Sequence, residues 1–464
     1  MTNFEGYLSP FSWRYASAEM RKVWSEAYKR KLWREIWLAL AEVQSEYGLV
    51  SIEQLDDLRK HAADIDMQRA QEIEADIHHD LMAELQVYTE QCPLGGSILH
   101  LGATSTDIED NTDALRIRAS LEITLDKLRR LLYELAAKID KWAETPIIAF
   151  THLQPAEPST LGYRLAQYGQ DLFMDWTAIA RSRSEIRGKG FKGAVGTSAA
   201  FADLIGEDKL PEFEVKLADK LGLDFYPVTS QVYPRKQDYQ VISALAGLGS
   251  SLYKFAFDLR LLQSPPIGEW AEPFSQKQVG SSAMPFKRNP VNSEKLNSLG
   301  RLLAQMPRVA WDNAAHSLLE RTLDDSANRR TLLPEAFLAA DEMLGTSLRI
   351  VNGIKINEAA IHHNLNTYAP FAATERVLVA LSKAGGNRQE MHERLRQHSM
   401  EAWEEVQKGQ PNMLFTRFCK DDVILKYLSP AQLEDLMDVR RHTGDSALRA
   451  HQMAQTIRSA ITQE

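Results

Sequence analysis

A heptad pattern of apolar residues constrains the fold of this chain more than any other feature. Steps of four and three residues separate Leu121, Leu125, Leu128, Leu132, Leu135, Ile139 and Trp142. This spacing places the apolar side chains on one face of a long helix, which other helices must cover. Comparable patterns begin at Leu161, Ile242 and Leu296. The sequence therefore predicts an all-α protein with a central bundle of long helices.

The flanking segments predict smaller helical domains. Trp33, Ile36 and Trp37 begin an amphipathic stripe near the N-terminus, and the segment after about Lys355 is again helical but more polar. A chain of 464 residues is long for one core. We expect three mostly helical domains, spanning residues 1–105, 106–354 and 355–464. Helical stripes of this length often continue into partner subunits, so an oligomer is also expected.

Bulk properties exclude several classes of protein. The formal net charge of −9 argues against a surface that coats nucleic acid. Cys92 and Cys419 give no disulfide framework, which fits a reducing compartment. No apolar run is long enough to span a bilayer, and no signal peptide is visible. We expect a cytoplasmic protein without nucleic-acid or membrane partners.

The stretch Gly280–Pro290 interrupts these helical patterns. Its sequence, GSSAMPFKRNP, combines two prolines with two hydroxyls, two cations and an amide. Proline disfavours a helical conformation at its own position and at the preceding residue, so we expect this stretch to be a loop. Such a loop can bind an anion, and nearby positive charge can activate a hydroxyl. On composition alone, a basic surface turn is an equally good interpretation.

Other short stretches combine polar groups at helix ends. His78-His79-Asp80 could indicate a metal, but neighbouring residues of a helix point about 100° apart, so we predict none. Gly102, Thr104 and Ser105 form a second candidate anion-binding turn, with Asp107 or Asp110 as a helix cap.

Two further stretches allow both a structural and a functional interpretation. His152 lies within a non-helical break marked by Pro155 and Pro158, where a structural histidine is commoner than a catalytic one. The charged run Glu320–Arg330 is consistent with a solvated salt-bridge network that contributes little stability. If this run is helical, Ser326 and Arg330 share one face.

The order of residues in Gly280–Pro290 resembles the signature loop of the fumarase/aspartase superfamily of elimination enzymes. The other stretches resemble its adenylosuccinate lyase branch over nearly the whole chain, and the Glu320–Arg330 run favours this branch over fumarase or aspartase. The resemblance implies β-elimination of fumarate from adenylosuccinate, leaving AMP, and from succinylaminoimidazole carboxamide ribotide, leaving the free carboxamide. These are steps of purine nucleotide biosynthesis. It implies no metal and no organic cofactor.

The same resemblance implies how the chain assembles. The three helical domains of each subunit would contribute to a homotetramer whose central helices form a twenty-helix core. Each active site would use segments from three subunits.

The resemblance also implies catalytic roles. Ser281 would take the proton beside a carboxylate, and His152 would protonate the leaving nitrogen. Such an elimination needs a base, an acid and fixed donors for the developing negative charge. Lys287 and loop N–H groups would ionise Ser281, Glu294 would orient His152, and His79 would bind and orient the substrate.

The remaining matched residues are implied in substrate binding. Those assigned to the nucleotide and its phosphate are Arg14, Tyr15, Arg321, Ser326 and Arg330. Thr104, Ser105 and Gln231 are assigned to the succinyl part or the base, and Asn289 to a substrate carboxylate. Substrate binding without a named part of the substrate is assigned to His78, Asp80, Ser282 and Lys295. His78 and Lys295 stand where arginine is usual, which bears on affinity more than on activity.

Two alternatives stay open on the sequence. A sister enzyme such as an argininosuccinate lyase would use the same scaffold. A catalytically silent helical assembly protein would release no fumarate from any of these substrates.

Overall fold

The computed structural model of the chain describes residues 5–275, 277–278 and 280–462, and these residues are mostly helical. The helices of the N-terminal third are α1 (Pro10–Trp13), α2 (Ala18–Val23), α3 (Glu26–Glu46), α4 (Ile52–His61), α5 (Met67–Ile77) and α6 (Asp80–Gln91). Those of the middle are α7 (Ser105–Lys141), α8 (Leu161–Ser184), α9 (Ala199–Ile205), α10 (Leu210–Leu221), α11 (Lys236–Leu262), α12 (Val291–Ala315) and α13 (Ser326–Gly353). The last are α14 (Glu358–Ala372), α15 (Thr374–Lys383), α16 (Arg388–Gln407), α17 (Leu414–Phe418), α18 (Asp422–Leu425), α19 (Pro430–Met437) and α20 (Ser446–Thr462).

The long helices occur where the apolar spacing predicts them. The stripe residues of α7, from Leu121 to Ile139, are buried, and so are those of α8 and α11. The stripe of α12 is buried through Met306, whereas Val309 is 37% exposed. The all-α class is confirmed, because burial of these stripes requires helices packed on helices.

Serine side chains cap the N-termini of three helices near the start of the chain. Ser17, Ser25 and Ser51 each accept a hydrogen bond from a backbone N–H in the first turn of α2, α3 and α4. Ser51 and Gln54 form a reciprocal capping box. Each cap satisfies an N–H group that the helix leaves without an acceptor, and so fixes where the helix starts.

Short strands occur only locally among the described residues. β1 (Pro146–Thr151) pairs antiparallel with β2 (Gln154–Thr160), and β3 (Trp270–Ala271) pairs with β4 (Lys355–Ile356). The proline-bounded break around His152 is therefore a β-hairpin.

The chain divides into two compact units. The first comprises Met1–Leu128, Asp175–Ser250 and Ser298–Gly345, and its apolar core includes Trp33, Trp37 and Phe201. The second comprises Arg129–Met174, Ser251–Asn297 and Thr346–Glu464, where Tyr168 packs against Phe255 and Trp270. The division into segments 1–105, 106–354 and 355–464 stays a prediction. None of the described helices is both long and apolar enough to cross a membrane.

Candidate active site

A hollow in the first unit brings together residues that are far apart in the sequence, and we call it the arginine pocket. Four residues predicted to bind substrate line it: Asp80, Arg321, Ser326 and Arg330. Its cationic side chains are Lys29, Arg116, Arg235, Arg321, Arg329 and Arg330. Its carboxyl groups are Glu26, Asp80, Glu109, Asp110 and Asp113. A concave site with convergent cations suits an anionic ligand.

Asp80 and Arg330 join α6 to α13 at one wall of the pocket. Arg330 Nη1 donates to Asp80 Oδ2 at 3.0 Å, and Lys29 Nζ lies 3.7 Å from the same oxygen. Burial alone would raise the pKa of Asp80, but these two cations lower it below its ordinary value. Asp80 is therefore a carboxylate that orients Arg330, whose side chain stays 57% exposed and open to a ligand.

A buried ion-pair chain supports Arg321 and Ser326. Arg321 Nη1 donates to Asp325 Oδ1 at 2.8 Å, and Arg235 Nε donates to Asp325 Oδ2 at 2.6 Å. Arg235 also binds both oxygens of Asp110, at 3.0 and 3.1 Å. Ser326 and Arg330 lie four residues apart in α13 and line the pocket together, as their spacing predicts.

Arg329, which also lines the pocket, extends this network to Asp238 and Tyr233. Its Nε donates to Asp238 Oδ2 at 2.8 Å, and its Nη2 donates to the hydroxyl of Tyr233 at 2.9 Å. Arg329, Asp325 and Arg235 are all buried. A solvated network is thus the wrong interpretation of this part of the Glu320–Arg330 run, since buried pairs are held rigidly by their hydrogen bonds.

His79 and Ser105 lie beside each other at the N-termini of α6 and α7. His79 is the N-cap of α6, where its Nδ1 accepts from the N–H of Met82 at 3.4 Å. Its Nε2 lies 3.4 Å from the hydroxyl of Ser105, the first residue of α7. His78 precedes it in a left-handed conformation and is exposed. The two neighbouring histidines therefore have different roles: His78 ends α5, and the side chain of His79 caps α6.

Asp107 fixes the turn that carries Thr104. Its Oδ2 accepts from the N–H of Thr104 at 2.9 Å, so Asp107 helps to cap the helix, as predicted, from the third residue of α7. Its Oδ1 pairs with the fully buried ammonium of Lys189. Asp110, the other candidate cap, instead pairs with Arg235. The buried pair holds the N-terminus of α7 in place, where backbone N–H groups favour an anion.

Three further residues predicted to bind substrate lie elsewhere in the first unit: Gln231, Arg14 and Tyr15. The N–H of Gln231 donates to Glu320 O at 3.1 Å, and its carbonyl accepts from Thr106 Oγ1 at 2.5 Å. Arg14 is exposed, and Tyr15 is half-buried with its ring 5.8 Å from that of Phe11. These contacts leave the guanidinium of Arg14 accessible.

The signature loop, Gly280–Pro290, is closed on itself. Ser281 Oγ accepts from the N–H groups of Ala283 and Met284, at 3.3 and 3.1 Å. Asn289 Nδ2 donates to Gly280 O at 3.0 Å. A Cβ at Gly280 would lie 2.3 Å from Lys287 O, so only glycine fits this closure. Two N–H groups aimed at one hydroxyl oxygen favour its alkoxide form.

The rest of the loop faces outward. Ser282 and Lys287 are exposed, whereas Asn289 is half-buried because its amide serves the loop backbone. An Asn289 that holds a substrate carboxylate would have to exchange this hydrogen bond.

Glu272 anchors the loop to α12. Its carboxylate accepts from the N–H groups of Asn292 and Ser293, at 3.1 and 2.8 Å, and so caps the N-terminus of the helix. Glu294 and Lys295 follow in the first turn, with Glu294 exposed and Lys295 half-buried.

His152 occupies the tip of the β1–β2 hairpin. Thr151 pairs with Gln154, which leaves His152 and Leu153 as the two turn residues, with φ of 53° and 59°. Positive φ at both positions is the geometry of a type I′ turn, in which side chains other than Asn, Asp and Gly are uncommon. His152 is exposed, and no contact between the described residues joins it to Ser281 or Glu294. The turn presents the imidazole outward.

Several charged residues of these sites escaped the sequence analysis. Arg235, Arg329, Glu109 and Glu272 line or support them, but a single sequence does not distinguish them from surface charges. Only Arg235 has a weak signal in the sequence. Pro234 precedes it, and proline often marks the start of a helix, so the position of Arg235 at the start of α11 could have been predicted.

Comparisons with known proteins place the chain in a family. A family model described as "Lyase" matches residues 14–302, and one described as "Adenylosuccinate lyase C-terminus" matches residues 370–451. The adenylosuccinate lyase of Schistosoma mansoni is 41% identical, over 91% of this chain and 89% of its own length. That of Saccharomyces cerevisiae is 38% identical over the same shares. That of Archaeoglobus fulgidus is 32% identical over 97% of this chain and 99% of its own.

Solved structures agree on the fold. A fumarate lyase from Mesorhizobium sp. BNC1 superposes with a TM-score of 0.83 at 22% identity, covering 97% of this chain and 99% of that one. A 3-carboxy-cis,cis-muconate lactonizing enzyme from Pseudomonas putida gives 0.84 at 24% identity, covering 96% and 99%. The family models and the sequence relatives together show that this chain belongs to the adenylosuccinate lyases of the fumarase/aspartase superfamily.

Proposed function

We propose that this enzyme cleaves adenylosuccinate to AMP and fumarate, and succinylaminoimidazole carboxamide ribotide to the free carboxamide ribotide and fumarate. Its relatives at 32–41% identity along nearly their whole length are adenylosuccinate lyases. Both reactions eliminate a C–N bond, so one set of residues serves both. The observation that carries the proposal is the signature loop, where two backbone N–H groups point at the hydroxyl of Ser281.

The proton is removed first in this mechanism. Ser281, as an alkoxide, takes the proton from the carbon beside a substrate carboxylate, and the negative charge spreads into that carboxylate as an aci-carboxylate. The loop N–H groups and the ammonium of Lys287 stabilise the alkoxide. Asn289 and Ser282 bind the carboxylate on which charge accumulates.

The leaving nitrogen then needs a proton. His152 supplies it from the hairpin tip, and Glu294 orients the imidazole. His79, held by the α6 backbone and by Ser105, binds the substrate on the other side. A positioned acid or base of this kind contributes about 10²–10⁴ in rate.

The arginine pocket binds the nucleotide end of the substrate. Arg330, Arg321 and Ser326 bind the phosphate together with Arg14 and Tyr15, while Asp80 orients Arg330. His78 and Lys295, which stand where arginine is usual, are also proposed to bind the substrate. Thr104, Ser105 and Gln231 contact the succinyl part or the base. This assignment rests on the cations that converge there and on the N-terminus of α7.

We further propose a homotetramer in which different subunits supply the arginine pocket, the hairpin tip and the signature loop. The exposure of His152 and of most of the loop supports this, since a catalytic acid is normally enclosed during turnover. A reducing, cytoplasmic compartment is also proposed, on the basis of the free Cys92 and Cys419.

Fumarate release from each nucleotide substrate tests the activity directly. Ser281→Ala and His152→Asn should each lower kcat by about 10²–10⁴ without changing the circular dichroism spectrum. Asn tolerates the left-handed backbone of position 152, so this change removes only the imidazole. Ser282→Ala should lower kcat much less than Ser281→Ala; equal losses would remove Ser281 as the base.

Mixing the two inactive variants tests the shared site. If Ser281 and His152 of one site come from different subunits, a refolded equal mixture should regain up to about a quarter of wild-type turnover. No recovery from properly formed mixed oligomers would contradict the shared site but not the activity. Cleavage of argininosuccinate alone would contradict the substrate assignment.

A further inference from the structure

Glu109 is a carboxyl group of the arginine pocket that the proposed reaction does not use. It lies in the second turn of α7 and is half-buried. Among the described residues, no ion pair or hydrogen bond engages its side chain. The other four carboxyl groups of the pocket are all paired: Glu26 with Lys29, Asp80 with Arg330, Asp110 with Arg235 and Asp113 with Arg116. Glu109 thus differs from every neighbouring acid.

The cations of the pocket are already neutralised without Glu109. Arg321 pairs with Asp325 and Arg329 pairs with Asp238, so the six cations face six partnered carboxylates. An ionised Glu109 would therefore leave the pocket with an excess negative charge. A phosphate dianion entering such a pocket would meet repulsion at close range and low dielectric.

The surroundings of Glu109 favour its neutral form. Burial, followed by the charges of Asp80, Asp110 and Asp113, raises the pKa of Glu109 to about 7, although Arg330 opposes this. The group therefore changes protonation near neutral pH. When protonated, it has an O–H that can donate to an oxyanion in the pocket.

We infer that Glu109 must hold a proton for the pocket to accept the phosphate of the nucleotide. Phosphate and one proton then bind together, with the Glu109 O–H donating to a phosphate oxygen. Raising the pH above neutrality removes this donor and replaces it with a like charge. The inference rests on the proposed function, because it takes the nucleotide phosphate as the occupant of the pocket.

The test is AMP binding to the full-length enzyme by isothermal titration calorimetry between pH 7.5 and 9. The second ionisation of phosphate lies near pH 6, so AMP is a dianion over this range. For the wild type, Kd should rise with pH, approaching ten-fold per unit where one proton is taken up. Titrations at pH 8 in buffers of different ionisation enthalpy should show an uptake of up to one proton.

Glu109→Gln keeps a donor of similar shape and cannot ionise. It should bind AMP with a Kd that is nearly constant over this range, and about thirty-fold lower than the wild type at pH 8.5. Glu122→Gln is the matched control, because it removes the same charge from an exposed position of the same helix. It should behave like the wild type.

The outcomes separate this inference from the proposed function. AMP binding without proton uptake in the wild type, or with the same pH slope in Glu109→Gln, would overturn the inference alone. Absence of AMP binding at every pH, together with no fumarate release, would overturn both. If Glu109→Gln does not fold by circular dichroism, the wild-type proton count and Glu109→Met, which should also show no uptake, decide the question.

Discussion

Asp80 and Arg330, separated by 250 residues in the chain, form an ion pair with 3.0 Å between Oδ2 and Nη1. Asp80 is buried, whereas the side chain of Arg330 remains more than half exposed. The carboxylate therefore fixes one edge of the guanidinium and leaves the other edge open. This arrangement prepares Arg330 to bind an anion without a large loss of side-chain entropy.

Arg330→Gln should weaken nucleotide binding more than it slows the chemical step. The phosphate lies away from the bond that breaks, so its contacts are the same in ground and transition states. We expect KM for adenylosuccinate to rise at least about ten-fold, with kcat changed much less. Steady-state kinetics measures both. Arg181→Gln, at an exposed pair with Glu185, should leave both constants unchanged. A selective fall in kcat would contradict the assignment.

Leu153→Gly should stabilise the protein. Leu153 has a φ of 59° and is 68% exposed, so its side chain contributes strain and little burial. Glycine adopts this conformation freely, and the free energy of unfolding should rise by up to about 1 kcal/mol. Thermal melting checks this, with Val228→Gly as the control, since Val228 is 80% exposed but not left-handed. A marked loss of stability would contradict this prediction.

Asp107→Asn should be strongly destabilising. The carboxylate is fully buried, pairs with Lys189 and accepts N–H groups from Thr104, Lys192 and Gly193. Its loss leaves an unpaired ammonium in the interior, which costs about 3–5 kcal/mol.

Adding Lys189→Met to Asp107→Asn should recover part of that stability, because it removes the orphaned charge. Urea unfolding of the two variants measures the effect. Asp224→Asn, which breaks the exposed pair with Arg187, should cost less than about 1 kcal/mol. Equal losses in Asp107→Asn and Asp224→Asn would show that burial of the pair is unimportant.

Asp421 should make stability depend on pH in acid. Burial would raise its pKa, but His398, Arg394 and two backbone N–H groups hold the pKa at about 2. Because this folded-state pKa is depressed, the carboxylate stabilises the fold above the unfolded pKa near 4, and the contribution is lost as pH falls towards 2. Asp421→Asn should lose about 2 kcal/mol at pH 7. The gap between the melting temperatures of the two proteins should narrow from pH 7 through pH 4 to about half at pH 3; a constant gap would contradict the pKa.

The sequence by itself determined the helical class, the long central helices and the stretches that carry chemistry. Apolar spacing of three and four residues indicates helices that bury one face, so the burial of Leu121 to Ile139 follows from the pattern. Without strand patterns in the sequence, the faces that cover them are those of other helices. The order of residues in Gly280–Pro290 identified the family because a closed loop around Ser281 tolerates few alternatives, as the lack of space at Gly280 illustrates.

Only the tertiary structure decided which charges belong together. Arg235, Arg329 and Glu109 look like ordinary surface residues in the sequence, since a charge has no periodic signature of its own. Their roles depend on distance and burial: Asp110 and Asp325 neutralise Arg235 from distant parts of the chain, while Glu109 faces the same pocket without a partner. Electrostatic energy varies with separation and dielectric, and both are properties of the folded chain rather than of the order of its residues.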